Sequence, residues 1–328
     1  MSYILLTGAT GNLGAVILEQ LMKSDQKVKA VVRSFAKSKE TVATQYESAS
    51  NSGQLTFTEI PDMAVPGAFD EALRNASSLI HVATPLEDHD FLETMIKPAS
   101  VITKNILNSA AKSPTLKRVI ITGSIVATLK LPDDVFSGRT ISEEDWNSCS
   151  LEEAVTDESH AYGYSKVTSE KDAWEFMASE KPSFDLIYLL APSIIGKSIQ
   201  PGFKLTRQHL GGTSSVYKAA FDVEKPDFMF PYVMDVEDVA AIHIKALSPN
   251  VPGNERYLFH SKRPLLADEA VNFIREKYPE LTVRVPAGSN DSSLAPNLFK
   301  TDISKASKVF GTDWKDWTLS VSSMVDDI

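Results

Sequence analysis

The sequence lacks several features that mark particular protein classes. Its 328 residues include one cysteine, Cys149, which excludes an intrachain disulfide and a multi-cysteine zinc site and favours a reducing compartment. No apolar run approaches the roughly 18–20 residues of a membrane-spanning helix, and the first residues predict a strand rather than a signal peptide. The 33 basic and 43 acidic residues give a net charge of −10, with no basic excess for nucleic acid. We expect a cytoplasmic protein that binds neither nucleic acid nor a membrane.

Histidine and serine motifs of metalloenzymes and hydrolases are also missing. The six histidines form no H-x-x-x-H or H-E-x-x-H pair, and no serine lies in G-x-S-x-G, so we predict no metal site and no α/β-hydrolase. His81 and His243 lie in apolar surroundings, which predicts packed, hydrogen-bonded core residues. His160 is predicted to lie at a helix start.

Short apolar runs alternate with longer amphipathic stretches over the first 190 residues. The runs are rich in Val, Ile and Leu without polar alternation, which is typical of strands buried on both faces. These runs are Tyr3–Thr7, Val28–Val32, Leu55–Ile60, Leu79–Val82, Val119–Thr122 and Leu186–Leu190. Helices are predicted over Asn12–Lys23, Asp90–Lys112 and Asp235–Leu247, and a late strand over Arg256–His260. The alternation predicts an α/β fold with a Rossmann-type doubly wound parallel sheet.

Two regions interrupt this alternation. Residues 130–159 hold a proline, a glycine and a run of acids, which predicts an irregular surface insertion. Residues 192–231 carry scattered glycines and aromatics, which predicts a lobe beside the sheet. The predicted division is a Rossmann domain of residues 1–190, to which 235–262 return, and a smaller C-terminal substrate-binding lobe of residues 191–234 and 263–328.

The strongest local signal is a glycine-rich turn between the first strand and the first helix. Its spacing is G-x-x-G-x-x-G, and glycines suit a tight turn, a close approach to a pyrophosphate and helix-on-strand packing. The N-terminus of the helix adds unpaired N–H groups for the phosphates. A turn without a ligand is the alternative, but the strand–turn–helix context favours a dinucleotide. The predicted contacts here are Gly8, Thr10, Gly11, Asn12, Leu13 and Gly14.

The end of the second strand indicates which dinucleotide binds. NAD-binding proteins usually place an acid there, whereas this chain has Arg33 and Lys37 and no acid before Glu40. Cations suit a ribose 2′-phosphate, so the pattern favours NADP(H), although solvated surface charges are the alternative. Asp62 is a candidate acceptor for the adenine amino group or an ordinary loop carboxylate, and Met63 beside it is a further predicted cofactor contact.

A tyrosine–lysine pair provides candidate acid–base chemistry. Tyr162 and Lys166 are four residues apart, so on a helix they share one face. A free tyrosine has a pKa of about 10, and a nearby ammonium favours its ionised form. Tyr164 has Thr168 at the same spacing and therefore no cation. The spacing alone is weak evidence, because two helix-surface residues often show it.

Ser124 follows the fifth predicted strand, at the edge of the sheet where open α/β proteins bind ligands. A hydroxyl there can donate a hydrogen bond to a substrate carbonyl as negative charge develops on its oxygen. A helix N-cap is the alternative role for a serine at this place. Ser124 alone therefore favours the capping role, and it becomes a candidate site residue because the tyrosine–lysine pair is also present.

Taken together, these motifs resemble the extended short-chain dehydrogenase/reductase superfamily. Within it they are similar to the dihydroflavonol 4-reductase-like carbonyl reductases, a branch that includes fungal aldehyde and methylglyoxal reductases. The matching segments occur in the family's order and span residues 3–247. They are Thr7–Gly14, Val31–Ser34, His81–Pro85, Val119–Ala127, Tyr162–Lys166, Ala191–Gly196 and Asp235–Leu247.

The resemblance implies a role for each site residue. Tyr162 would donate a proton, Lys166 would bind the nicotinamide ribose and tune Tyr162, and Ser124 would polarise the carbonyl. The remaining implied cofactor contacts are Val82, Ala83, Thr84 and Thr122 along the groove, with Pro192 and Ile195 beside the nicotinamide. The insertion would carry the branch's acid–Trp element as Glu144-Asp145-Trp146, while Gly123 and Ala191 replace residues that are usually polar in relatives.

The resulting hypothesis is NADPH-dependent, reversible reduction of an aldehyde or ketone to an alcohol. The alternatives are a sugar-nucleotide epimerase or dehydratase that uses NAD(P), and a non-catalytic dinucleotide sensor. The partner is predicted to be a small carbonyl compound, and the protein a monomer or homodimer. Residues 200–231 are expected to form a substrate pocket whose specificity no motif identifies. The aromatic residues that favour a hydrophobic substrate are Phe203, Tyr217, Phe221, Phe228 and Phe230.

Overall fold

The computed structural model of this chain describes residues 2–38, 42–84, 89–200, 203–207, 211–289, 297–326 and 328, with the backbone alone at 37 and 38. Seven parallel strands form the central sheet. They are β1 (Tyr3–Thr7), β2 (Val28–Val32), β3 (Leu55–Glu59), β4 (Ala76–His81), β5 (Arg118–Ser124), β7 (Asp185–Ala191) and β10 (Glu255–Leu258). Their spatial order is β3-β2-β1-β4-β5-β7-β10, which confirms the predicted doubly wound α/β sheet.

Among the described residues, the remaining elements are four short strands and a set of helices. The strands form two parallel pairs, β6 (Thr140–Ile141) with β11 (Lys300–Thr301) and β8 (Ser193–Ile195) with β9 (Val233–Asp235). The helices are α1 (Asn12–Met22), α2 (Phe35–Ser38), α3 (Glu47–Asn51), α4 (Asp70–Leu73), α5 (Lys97–Ala111), α6 (Leu151–Ala154), α7 (Glu158–Glu180), α8 (Gly212–Ala220), α9 (Val236–Lys245), α10 (Ala267–Lys277), α11 (Ser304–Phe310) and α12 (Trp317–Val325). A π-helical turn over Leu92–Ile96 precedes α5, so the helix predicted over Asp90–Lys112 is not regular throughout.

Helices cover both faces of the sheet, which explains the continuous apolar strands. Along β1, Ile4 and Leu6 enter the core under α1 and α9, whereas Leu5 enters the core under α5 and α7. The helix predicted over Asp235–Leu247 is α9, and the side chain of Asp235 caps it by accepting a hydrogen bond from Glu237 N. Within the described ranges, no helix is both long enough and apolar enough to cross a membrane.

The strand order creates a crevice at the carboxyl edge of the sheet. The chain runs outward from β1 through β2 to β3 on one side, and from β4 through β5 to β7 on the other. Loops leaving neighbouring β1 and β4 therefore diverge, and such switch points are where open α/β sheets bind ligands. The glycine turn follows β1, residues 82–84 follow β4, and Ser124 ends β5. The predicted site residues thus collect at one edge.

The last third of the chain contributes to several parts of the molecule. Helices α8, α10 and α12 enclose a separate apolar core that includes Phe221, Val271 and Trp317. Helix α11 instead buries Phe310 in the core under α1 and α9. Strand β11 pairs with β6 of the 130–159 insertion. The division into a Rossmann domain and a substrate-binding lobe stays a prediction.

The insertion over residues 130–159 differs from the prediction. It is mostly irregular, as predicted, with β6 and α6 as its regular strand and helix. It is not merely a surface segment, because Val135, Ile141, Glu143 and Asn147 are all buried. The acidic and polar composition predicted exposed side chains. In the structure, several of these residues instead form hydrogen bonds with buried backbone groups and with a buried guanidinium, as described below.

Candidate active site

The glycine turn after β1 is shaped by steric limits at two positions. Gly8 has φ +75°, and a Cβ there would lie 2.9 Å from Ala83 N. A Cβ at Gly14 would lie 1.9 Å from Gly8 O, so the first turn of α1 packs on the strand end only with glycine. Gly11 N donates to Gly8 O at 2.8 Å and closes the turn. The glycine spacing therefore has the structural cause that the sequence predicted.

The same turn leaves polar groups available to an anion. Gly11 caps α1 without any side-chain hydrogen bond, and the first turn of the helix contains no acid. Within the described part of the chain, the buried Oδ1 of Asn12 has no hydrogen-bond partner. Free N–H groups at a helix N-terminus fit the pyrophosphate of a dinucleotide, whereas Asn12 Oδ1 can only accept a hydrogen bond and so suits a donor rather than a phosphate oxygen. Thr10 is exposed beside them, and its carbonyl oxygen accepts a hydrogen bond from Gln200.

A buried threonine–histidine pair connects the two loops of the crevice. Thr7 Oγ1 accepts hydrogen bonds from Val82 N at 3.1 Å and Ala83 N at 3.3 Å, and lies 2.7 Å from His81 Nδ1. Burial, together with the charge of Lys166, lowers the pKa of His81 to about 3. His81 is therefore neutral at pH 7, and this pattern assigns the Thr7 proton to the bond with Nδ1. The prediction of a hydrogen-bonded core histidine is confirmed.

Arg33 is placed at the end of β2 as an exposed cation. Within the described residues no carboxylate pairs with its guanidinium. Glu59, at the end of the adjacent β3, instead accepts a hydrogen bond from Phe35 N at 2.6 Å. The side chain of Lys37 lies outside the described part of the structure. Glu59 is thus engaged by the backbone of the segment after β2, and Arg33 stays available for a phosphate.

Two predicted cofactor contacts, Asp62 and Met63, lie in the loop after β3. Asp62 is exposed and its Oδ1 accepts a hydrogen bond from Ala64 N at 2.8 Å. Met63 is half-buried, and its carbonyl oxygen accepts a hydrogen bond from Asn105 on α5 at 3.2 Å. These hydrogen bonds give the loop a defined structure, and the contact of Asp62 with adenine and the cofactor contact of Met63 stay predictions.

Helix α7 brings Lys166 to the crevice beside Tyr162. Lys166 is 8% exposed, its Nζ donates to Thr84 Oγ1 at 2.7 Å, and it lies 5.4 Å from the centre of the Tyr162 ring. A cavity of about 20 Å³ is lined by Lys166 together with His81, Thr84 and Thr122. The lysine is thus held next to the loop after β4, with the half-buried tyrosine one turn before it on the same helix.

Ser124 ends β5 and begins the short turn Ile125–Ala127. It is buried, and its Oγ accepts a hydrogen bond from Val126 N at 3.4 Å, so the N-cap alternative describes a real contact. The turn packs against α7, the helix that carries Tyr162. A capping hydroxyl keeps its own proton for a second partner, so the capping role and a carbonyl-binding role are compatible.

Thr122 has its hydroxyl directed at α9. Thr122 Oγ1 lies 2.9 Å from His243 Nε2, and His243 Nδ1 donates to Val239 O at 2.8 Å. Burial lowers the pKa of His243 to about 4, so the neutral ring accepts the Thr122 proton. His243 is the packed, hydrogen-bonded core residue that the sequence predicted. Any cofactor contact of Thr122 would come from other atoms.

The remaining predicted cofactor residues lie along the two sides of the crevice. Pro192 is buried directly after β7, and Ile195 is buried in β8 within the apolar core of α8 and α10. Val82 is half-buried against the core under α1 and α9. Leu13 is buried in that same core, so its side chain serves packing rather than the turn surface.

The acid–Trp element is fixed by a buried ion pair that the sequence did not indicate. Arg256 on β10 lies 3.8 Å above the Trp146 ring, and its guanidinium bonds the carbonyl oxygens of Glu143 and Asp145. Nε of the same guanidinium lies 2.8 Å from Oε1 of Glu170 on α7, and the two groups form an ion pair. The insertion is thus tied to the helix that carries Tyr162. No local pattern links these positions, because they are far apart in sequence.

The aromatic residues that favoured a hydrophobic substrate lie in different parts of the structure. Phe230 belongs to the apolar cluster that contains Tyr162, as do Tyr232 and Phe299, which sequence analysis missed. The Tyr232 hydroxyl donates to Phe299 O at 2.7 Å, which holds the chain after residue 297 against this cluster. By contrast, Tyr217 and Phe221 fill the core of α8, and Phe228 is 53% exposed.

Comparison with known proteins identifies the family of this chain. The model of the NAD dependent epimerase/dehydratase family matches residues 4–257. The chain belongs to this family. An uncharacterized oxidoreductase of Schizosaccharomyces pombe is 30% identical over 91% of this chain and 89% of its own. Ketoreductase azaE of Aspergillus niger is 28% identical over 98% of this chain and 96% of its own.

Among solved structures, that of Gre2 from Candida albicans in complex with NADPH is similar to the structure of this chain. The TM-score is 0.88, with 25% sequence identity over 100% of this chain and 98% of the Gre2 chain. The relatives match nearly their whole length, so the superfamily resemblance inferred from the motifs is confirmed. Within the described ranges, no cluster of three His, Cys, Asp or Glu side chains could hold a metal ion.

Proposed function

We propose that this protein is an NADPH-dependent carbonyl reductase, which converts an aldehyde or ketone reversibly into an alcohol. The observation that carries the proposal is the collection of Ser124, Tyr162 and Lys166 at the sheet edge that also holds the glycine turn. The ketoreductase and NADPH-bound relatives support the same activity. The exposed Arg33 at the end of β2 supports NADPH over NADH.

Bound NADPH would supply the hydride, and the protein would supply orientation and a proton. The turn of Gly8 to Gly14 would hold the pyrophosphate, and Thr84 and Lys166 would bind the nicotinamide half. The Ser124 hydroxyl would donate a hydrogen bond to the carbonyl oxygen, where negative charge develops. Tyr162 would then donate its phenolic proton to that oxygen, and the alcohol leaves.

The ammonium of Lys166 would stabilise the phenolate that remains on Tyr162. Its position 5.4 Å from the ring centre, and its low exposure, strengthen this electrostatic effect relative to a solvated pair. The bond to Thr84 fixes the lysine head, so little rearrangement is needed during the reaction. Positioning and charge stabilisation together would account for the acceleration.

The experiment compares Tyr162→Phe with Tyr164→Phe in the purified protein. Consumption of NADPH and NADH is followed with a panel of aldehydes, α-diketones and aryl ketones. We expect turnover with NADPH that falls at least about 100-fold in Tyr162→Phe, because a general acid contributes about 10²- to 10⁴-fold. Tyr164→Phe, a matched hydroxyl deletion two residues away, should keep wild-type turnover.

Other outcomes separate the alternatives. NADPH binding without turnover of any carbonyl would favour the non-catalytic sensor. Tight retention of NAD with conversion of a sugar nucleotide would identify an epimerase or dehydratase. A preference for NADH would contradict the assignment of Arg33 alone and would leave the catalytic residues in place.

Three finer assignments are part of the proposal. The apolar surroundings of Tyr162, with Phe230 and Phe299, favour a carbonyl compound with a hydrophobic substituent. The chain has a single cysteine, which fits a reducing compartment, so we expect the protein to act in the cytoplasm. The protein is expected to act as a monomer or homodimer, which sedimentation velocity would decide.

A further inference from the structure

Asn147 lies between the turn that follows Ser124 and helix α7. Its side chain is buried, with Nδ2 donating to Val126 O at 2.8 Å and Oδ1 accepting from Cys149 N at 2.8 Å. Its backbone N–H donates to Ala127 O at 2.8 Å. Two hydrogen bonds therefore fix this buried residue against the turn, and the third, from Cys149, orients its side-chain amide within the insertion.

The same turn holds the serine hydroxyl. Val126 donates its backbone N–H to Ser124 Oγ, and its carbonyl oxygen accepts the bond from Asn147. Asn147 thus acts on Ser124 through one intervening residue. Loss of the amide would leave the buried carbonyl of Val126 without this donor and would free the turn to move.

On its other side Asn147 contacts α7 next to Tyr162. Gly163 follows Tyr162, and a Cβ at Gly163 would lie 2.6 Å from Asn147 Nδ2 and 3.7 Å from Val126 O. Real Cβ contacts essentially never fall below 3.0 Å, so an alanine there would displace the amide or the helix. Glycine is otherwise unfavourable inside a helix, so its presence needs a packing reason.

We propose that Asn147 is a positioning residue that sets the separation of Ser124 and Tyr162, and that Gly163 makes room for it. The proposal rests on the proposed function, because the separation matters only if both hydroxyls act on one carbonyl oxygen. A displacement of about 1 Å at such a site can cost about 100-fold in rate. Asn147 itself touches no reacting atom.

The test is a double-mutant cycle on the full chain with NADPH and the best carbonyl of the panel. Gly163→Ala should lower kcat by about 10- to 100-fold, with smaller changes in KM, because hydroxyl positions change while the glycine turn does not. Asn147→Ala should lower kcat as well. In the Asn147→Ala background the added methyl has room, so Gly163→Ala should cost no more than about twofold.

A second variant keeps the test decisive if Gly163→Ala does not fold. Asn147→Asp preserves the side-chain volume but removes the donor to Val126 O, so kcat should fall as in Asn147→Ala. Tyr164→Phe serves as the control on α7 and should keep wild-type kcat. Binding of one NADPH per chain and an unchanged circular dichroism spectrum would show that each variant is folded.

The positioning role would be overturned if Gly163→Ala kept kcat within about twofold of wild type, or if it cost the same in both backgrounds. Wild-type kcat in Asn147→Asp would overturn it too. In all these cases Tyr162→Phe would still be inactive, so the proposed function would survive. Wild-type turnover in Tyr162→Phe would instead remove the proposed function, on which the inference rests.

Discussion

Arg33 is the residue on which the choice between NADPH and NADH depends. It is an exposed guanidinium at the end of β2, next to a backbone segment fixed by Glu59. We expect Arg33→Ala to raise KM for NADPH about tenfold, because a charge-assisted phosphate contact is lost at a solvent-screened position. KM for NADH should stay unchanged, since NADH lacks the 2′-phosphate.

The matched control is Arg74→Ala, which removes another exposed arginine directly after α4 and should leave KM for both nucleotides at wild-type values. The Arg33→Ala effect should also shrink as salt is added, because screening weakens the lost contact in the wild type. Equal increases in both KM values would show that Arg33 holds the loop rather than the phosphate.

Residues whose role depends on nearby sequence were predictable, and those that depend on distant partners were not. The glycines of the turn constrain one another within seven positions, and Tyr162 and Lys166 share one helix face. Asn147 and Gly163 meet only because the insertion folds back on α7. Such a contact leaves no periodicity in one sequence, although a glycine between Tyr162 and Lys166, whose spacing suits a helix, was a usable signal.

At the scale of elements, the buried pair Glu170–Arg256 joins α7, β10 and the insertion. Glu170 is fully buried, and burial raises its pKa although Arg256 acts in the opposite direction. We expect Glu170→Ala to lower the free energy of unfolding by about 3–5 kcal/mol, because it leaves a buried guanidinium without its counter-charge. Urea denaturation at pH 7.5 would measure the loss.

Lys112→Ala provides the comparison, because it breaks the exposed pair with Asp70 and should cost less than about 1 kcal/mol. If Glu170→Ala lost no more stability than Lys112→Ala, the carbonyl oxygens around Arg256 would be sufficient for its charge. The tie between the insertion and α7 would then be a minor one.

Sequence patterns predicted the strands well because parallel strands buried on both faces are continuously rich in Val, Ile and Leu. The predicted runs Tyr3–Thr7 and Val28–Val32 coincide with β1 and β2. The insertion was predicted less well, since its acids face buried partners: Glu143 accepts a hydrogen bond from Leu258 N at 3.0 Å. Composition reports the usual environment of a side chain, and tertiary pairing overrides it.

At the scale of the whole molecule, buried neutral histidines make stability depend on pH. The pKa of His243 is lowered to about 4 by burial, whereas the unfolded chain has a value near 6.5. Between these values the unfolded state binds a proton that the native state does not, so stability falls as pH falls from about 6.5 to about 4. The contribution of His243 to this loss is about 3 kcal/mol.

We therefore expect His243→Gln to be less stable than wild type at pH 7.5, because its contacts with Thr122 and Val239 are disturbed. The difference in free energy of unfolding between wild type and this variant should shrink steadily as pH falls from about 6.5, since the variant has no imidazole to protonate. Urea unfolding at pH 7.5, 6.0 and 5.0 would follow this convergence. A difference for His243→Gln that is constant across this range would mean that His243 titrates equally in the folded and unfolded chain.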